Sequence, residues 1–360
     1  MNDRLGRFGR RELTALTAIC TLIFGCFSTE ESGIFDTGNR LHFATLIALF
    51  VSVTVLRLAA NALERAGADS LGGRLALFPK PVCGASCVFG VSALLLGATL
   101  PGMRFIRAMT DFIYVEAEPA RIALYCVPCL AALSMLGMET LTRTARVLLP
   151  LTLAAAVFGL GSDVPLYRFY RLYPLLYDGM RLVQQSAVSL LRFLPVVLLL
   201  LSCARGAQGW RNVRRAGTVG MLLGGALTVV AELCLGMSYR YTELRELSAP
   251  LYRLMLEIDT DNASVRLDRV VLFVWTMAAL FASACAVYGA ALLTVECFSL
   301  RDVRPFAMLF AAAVVTAALV LREADDLGRK LPYLRPAGCA AALIPLAALL
   351  MRRRNSCKRE

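Results

Sequence analysis

Histidine is almost absent from this sequence: His42 is the only one. A single imidazole cannot assemble the usual nitrogen-rich metal centres, and no metal is expected. Common catalytic signatures are missing as well. The chain has no G-x-S-x-G elbow, no H-E-x-x-H helix and no phosphate-cradling P-loop, so neither an enzyme nor a bound cofactor is expected. Long polar stretches are lacking too. No polar block is long enough to fold separately, so residues 1–360 read as one domain. The basic start runs into an apolar segment without an A-x-A-like site, and no cleavable signal is expected.

Apolar residues fill the space. They make up 58% of the chain, and the mean hydropathy is +0.65. A bilayer core takes about 20 apolar residues per helix. Ten segments approach that length: 11–28, 41–60, 81–103, 120–137, 145–161, 184–203, 217–236, 267–297, 304–321 and 335–351. The expected fold is an all-α polytopic membrane protein with ten transmembrane helices and a short basic tail, 352–360. Of twelve cysteines, ten between Cys20 and Cys339 lie in or near these segments. Cys297 ends one segment, and Cys357 sits in the tail. They read as small buried apolar thiols.

The net charge of +12 follows from topology. An even number of spans puts both termini on one side. With that side cytoplasmic, the inner loops hold dense cations: Arg4, Arg7, Arg10 and Arg11; Arg205, Arg211, Arg214 and Arg215; Arg352, Arg353 and Arg354. The outer loops collect most acids, including Glu30, Glu31, Asp36, Glu116, Glu118, Asp259 and Asp261. This is the positive-inside pattern. The basic tail suits an anionic leaflet, so the partner implied by charge is membrane lipid and not nucleic acid. Two outer loops are crowded with apolar residues, SDVPLYRFYRLYPLLYDGMR and YRYTELRELSAPLYRLMLEIDTDNASVRLDR. Each is expected to carry an amphipathic interfacial helix; an aromatic belt is the simpler account of the tyrosines.

Ten spans divide into five plus five, repeat one over 11–161 and repeat two over 184–351. Inverted-repeat folds place a ligand at the midplane, where the first helix of each repeat is broken. Span one offers Gly25, a site that permits unwinding, with Cys26, Ser28 and Thr29 beside it. Span six offers Pro195 together with Ser189 and Arg192. An intramembrane arginine is costly and marks function by default; the competing reading is that Arg192 snorkels to the outer face. Glu232 in span seven and Glu296 in span eight are candidates for a proton or ion role, against an alternative in which each lies near an interface or is paired in the bundle. The G-x-x-x-G at Gly220–Gly224 reads as close helix packing, inside the chain or against a partner.

One polar turn carries a family pattern. LGMETLTRTARVLLP resembles the G-x-E-x-x-x-R turn between spans four and five of the endospore germination permeases, the B-type subunits of spore germinant receptors. Gly137, Glu139 and Arg143 carry the match. ASVRLDRVVLFVWTMAALF resembles that family's ERLD…W approach to span eight through Arg266, Asp268 and Trp275. LYPLLYDGMRLVQQSA is similar to the approach to span six, with Pro174 and Gly179, and FGRREL to the short basic lead. Departures are also present. GNRLHF, with Arg40 and His42, stands where the family has G-x-D-x-W; span one lacks the common proline; and Val197 lies near the place of a usual acid in span six.

The resemblance implies a LeuT-like five-plus-five inverted repeat of the amino acid–polyamine–organocation transporters, with helices one and six broken. It also implies a spore inner-membrane location and two partners, an A-type membrane subunit and a C-type lipoprotein. The expected activity is that of a receptor subunit. A small germinant, such as an amino acid, would bind between spans one, three, six and eight at Gly25, Cys26, Ser28, Ser189, Arg192 and Pro195, and partner subunits would read the resulting change. The alternative is an amino-acid or proton-coupled permease. A third reading is a scaffold that keeps only its partner contacts.

Overall fold

The computed structural model describes residues 7–32, 41–110, 114, 117–162, 164–173, 179–240, 254 and 267–323. Among these residues the secondary structure is helical throughout, with no strand. The long helices are α1 (Arg10–Ser32), α2 (Leu41–Arg65), α3 (Lys80–Ala108), α4 (Pro119–Met135), α5 (Met138–Ser162), α6 (Gly179–Ser202), α7 (Trp210–Ser238), α8 (Leu267–Cys297) and α9 (Arg304–Glu323). Six of them, α2, α3, α5, α7, α8 and α9, are long and apolar enough to cross a membrane, and Pro119–Met135 is a shorter apolar helix. In lipid a helix satisfies its own backbone groups, which is why apolar runs of this length become helices. The chain forms an integral membrane protein. The tenth expected span, 335–351, lies outside the described residues.

Packing follows a symmetric plan. Helices α1, α2, α6 and α7 form one group, in which α1 lies on α7 and α2 on α6. Helices α3, α4, α8 and α9 form the other, with α3 against α8 and α4 against α9. Moving each helix number by five exchanges α1–α7 with α6–α2, and α3–α9 with α8–α4. This is the pattern an inverted repeat produces. Helix α5 bridges the groups through α1 and α8.

Three expectations require correction. Span five was placed from residue 145, with a polar turn before it; α5 begins at Met138. The turn shrinks to Gly137, whose φ of +88° suits glycine, and the charges of the motif ride on the first turns of α5. The breaks expected at Gly25 and Pro195 do not appear: α1 and α6 run unbroken through them. Gly25 is small because α7 crosses there; a Cβ would lie 2.5 Å from Thr228 Oγ1. Pro195 fills space left by Gly97 of α3, where a Cβ would lie 2.7 Å from the proline Cγ. Finally, residues 164–173 of the first crowded loop form two short 3₁₀ turns, Val164–Leu166 and Phe169–Leu172, and no amphipathic α-helix. Their polar groups serve the end of α7: Arg168 N donates to Met237 O at 3.0 Å, and Arg171 donates to Ser238 O. A helix end leaves such carbonyls without partners, so this docking replaces helix formation.

Helix α7 presents a ladder of small residues. Gly220 and Gly224 face the threonine ridge of α1: a Cβ at Gly220 would lie 2.6 Å from Thr17 Cβ, and one at Gly224 would collide with Ala18 O and lie 2.9 Å from Thr21 Cβ. Thr17 and Thr21 turn their hydroxyls back to Leu13 O and Thr17 O, both at 2.7 Å, and so present methyl groups to the glycines. The G-x-x-x-G pattern therefore packs within the chain.

Candidate functional site

The α7 ladder continues in steps of four from Gly220 and Gly224 to Thr228 and Glu232, which puts all four on one helical face. Thr228 meets Gly25 and lies 4.0 Å from the Cys26 thiol. One turn later comes Glu232. On α6, Ser186, Ser189 and Arg192 are spaced by three and are all buried, so that helix also carries a polar stripe.

The two stripes meet in an ion pair. Arg192 Nη1 donates to Glu232 Oε1 at 2.8 Å, and both side chains are 1% exposed. Thr45 of α2 completes the cluster: its hydroxyl donates to Glu232 Oε1 at 3.0 Å and lies 3.3 Å from Arg192 Nη1. Three helices of one group thus converge on one carboxylate oxygen. Arg192 points inward and does not snorkel. It faces α2 and α7, whereas the ligand space expected from sequence lay toward α3 and α8. The paired alternative for Glu232 is the one realised.

Physical cost sets this cluster apart. Desolvating a guanidinium and a carboxylate costs several kcal/mol each, and their attraction returns about that amount; an apolar pair of similar volume is often as stable or more so. The pair therefore contributes little to net stability, yet removing one partner alone would strand a buried charge. What it offers is two opposite charges, held ready at a helix junction, that a zwitterion could address.

Other predicted residues fall elsewhere. Trp275 is buried on α8 and stacks on Phe27 of α1, with centroids 6.2 Å apart and planes at 22°. It links the two helix groups two residues from Gly25. Glu296, at the far end of α8, accepts from Ser70 Oγ at 2.7 Å and belongs to a different face. Gly137 forms the α4–α5 turn, and Arg143 donates to Glu139 on an exposed surface of α5. The side chains of Ser28 and Asp268, and Arg266 entirely, lie outside the described residues. Sequence reading missed Thr45 and Thr228. Thr228 had a signal, standing four residues beyond Gly224 in the same ladder; Thr45 had none, since its role depends on how α2 meets α6.

The comparisons with known proteins agree with this architecture. By structure the chain is similar to Mhp1, a nucleobase-cation-symport-1 family transporter, with a TM-score of 0.68 at 12% identity over 99% of this chain and 82% of that one. It is similar to a Na+-coupled sialic acid symporter, with a TM-score of 0.64 at 11% identity over 95% and 79% of the two chains. The manganese transporter of Eremococcus coleocola follows, with a TM-score of 0.60 at 12% identity over 95% and 76%. At such identities the likeness establishes the fold, which is the LeuT type. By sequence, no curated protein matches significantly. A family model, spore permease, described as spore germination protein, matches residues 91–326. That match spans most of the chain, and the protein belongs to the spore germination permease family.

Proposed function

We propose that this transporter-like membrane protein is the germinant-binding B-type subunit of a spore germinant receptor. Its ligand is a small zwitterion of the amino-acid class, and its membrane is the spore inner membrane, with both termini cytoplasmic. An A-type membrane subunit and a C-type lipoprotein read its state. Family membership supports the setting; the single observation that carries the ligand class is the buried Arg192–Glu232 pair.

The mechanism is an exchange of partners. The germinant carboxylate takes Arg192, and Glu232 is released to the germinant ammonium. Each charge keeps a counter-ion throughout, so the buried cost is not raised at any step. The exchange needs α6 and α7 to separate by the width of the ligand. Because α7 is laddered onto α1, that motion is transmitted to α1 and through Phe27–Trp275 to the second helix group. To reverse a 1:99 equilibrium the germinant must favour the new state by about 5.5 kcal/mol, near the upper end of the roughly 3–6 kcal/mol that two charge-assisted contacts supply.

The test is germination of spores whose only copy of this chain carries Arg192→Ala, read as release of dipicolinic acid against an amino-acid panel. Loss of response with the protein retained in the membrane supports the reading; an unchanged dose response rejects it. A second reading, a proton-coupled amino-acid permease, draws on the same buried Glu232. Uptake of labelled amino acids by vesicles holding this chain alone would favour the permease; dependence on partner subunits for any response would favour the receptor.

A further inference from the structure

Helix α2 packs on α7 in antiparallel register. Leu49 fills the space left by Gly225, and Leu56 the space left by Gly217; a Cβ at either glycine would collide with its leucine. Two helical turns lead from Leu49 back to His42, and two lead from Gly225 on to Glu232. His42 and Glu232 therefore stand level on facing surfaces. Side chains lean toward the N-terminus of their own helix, so in an antiparallel pair they part. Glu232 leans along α2 to meet Thr45, one turn beyond His42. His42 leans the other way, toward the end at which α2 begins.

Helix α6 adds to that same side of the ion pair. It runs in the direction of α2, and Ser189 and Ser186 precede Arg192 by about one and two turns. All three polar side chains are buried: His42 is 5% exposed, Ser186 7% and Ser189 1%. Ser186 spends its hydrogen on Leu182 O at 2.7 Å and keeps its oxygen as an acceptor. The His42 ring makes no hydrogen bond among the described residues. A buried polar group in that state costs free energy that an apolar side chain in its place would not. His42 also stands where the family pattern has G-x-D-x-W, so it is a feature of this chain.

We infer that His42, Ser186 and Ser189 line the pocket for the germinant's side chain, and that this side chain is uncharged and hydrogen-bonding, of the amide class. The inference rests on the reading of Arg192–Glu232 as the germinant site. With its carboxylate on Arg192 and its ammonium on Glu232, the germinant holds its α-carbon between them. Its side chain then has the polar side of the pair to enter. An apolar side chain would leave the imidazole unpaired there, and a charged one would add a third charge to two that balance. The two ring nitrogens of His42 donate and accept, as a side-chain amide does. His42 is thus a specificity residue.

The test sets asparagine and glutamine against their near-isosteres leucine and methionine, read as dipicolinic acid release. Parent spores should answer to an amide at a concentration lower by about tenfold or more than to its isostere, because a site built for hydrogen bonds rejects a ligand lacking them. In spores whose only copy carries His42→Phe, that ratio should fall about tenfold, mainly through weaker response to the amide. His42→Gln, which keeps a donor and an acceptor, should retain the preference. A parent that answers to the apolar isosteres as readily, or to neither amide, overturns the inference. So does an unchanged ratio in His42→Phe, and so does its silence toward every amino acid with the protein present in the membrane. Arg192→Met with Glu232→Leu separates the two levels. If that double variant responds as the parent does, the germinant reading fails and this inference with it. If it is silent while His42→Phe keeps the parent's ratio, only the side-chain pocket fails.

Discussion

Arg192 Nη1 and Glu232 Oε1 stand 2.8 Å apart, 40 residues apart in sequence, with neither side chain reached by solvent. Because the attraction roughly offsets desolvation, each residue is needed mainly by the other. Arg192→Met or Glu232→Leu alone should lower stability by about 3–5 kcal/mol, whereas the double variant should regain nearly all of it. Thermal unfolding in detergent measures all three; a double variant as unstable as the singles would show that the pair does not act as a unit.

Close packing of α7 on α1 predicts a steep cost for one methyl group. Gly224→Ala should destabilise by about 1–3 kcal/mol, because the nearest obstacle is backbone, Ala18 O, which cannot rotate away. Gly84→Ala is the matched control, since nothing lies within 4 Å of its Cβ position, and it should be neutral or slightly stabilising. Equal effects of the two would remove the ladder from the account.

Trp275 is a built-in reporter of the contact between the helix groups. The chain has two tryptophans, so Trp210→Phe leaves only the ring that stacks on Phe27. Replacing Trp210 forfeits its 2.8 Å bond to Ala68 O, at a cost of about 1 kcal/mol that the fold should absorb. Addition of an activating amino acid should shift Trp275 emission, saturating with the germination dose response. A response without any emission change would mean that α1 and α8 keep their contact.

The family-motif pair Glu139–Arg143 should matter little. Its side chains are 37% and 64% exposed, and such pairs contribute about 0–1 kcal/mol. Reversing either charge should change unfolding by less than that, and exchanging the two should change it least. A loss above about 2 kcal/mol from a single reversal would point to a partner contact on this surface.

Much of this was legible in the sequence, for a definite reason. Span positions follow from apolar runs, which lipid tolerates only as helices, so seven spans were placed within five residues of the helices found, and spans five and seven each began seven residues late. Legibility failed where a residue type serves two purposes. Glycine at position 25 permits unwinding and also permits contact; only the arrival of Thr228 from α7 decides between them. The charges near Gly137 suggested a loop, yet Glu139 and Arg143 are spaced for a helix and ride on one. Arg192 stood out as a costly residue, but its partner came from the meeting of α2, α6 and α7, which no local pattern records. Glu296 was marked as an acid in a span; that Ser70 would hold it could not be seen before the fold brought the two together.

The central claim is that the Arg192–Glu232 pair serves ligand response and not stability. The measurement that tests it most directly is the germination dose response of spores carrying Arg192→Met with Glu232→Leu, in which folding is restored and the charges are gone. The account predicts normal amounts of protein in the membrane and no response to the amino acid that activates the parent spores. A dose response equal to that of the parent would contradict it.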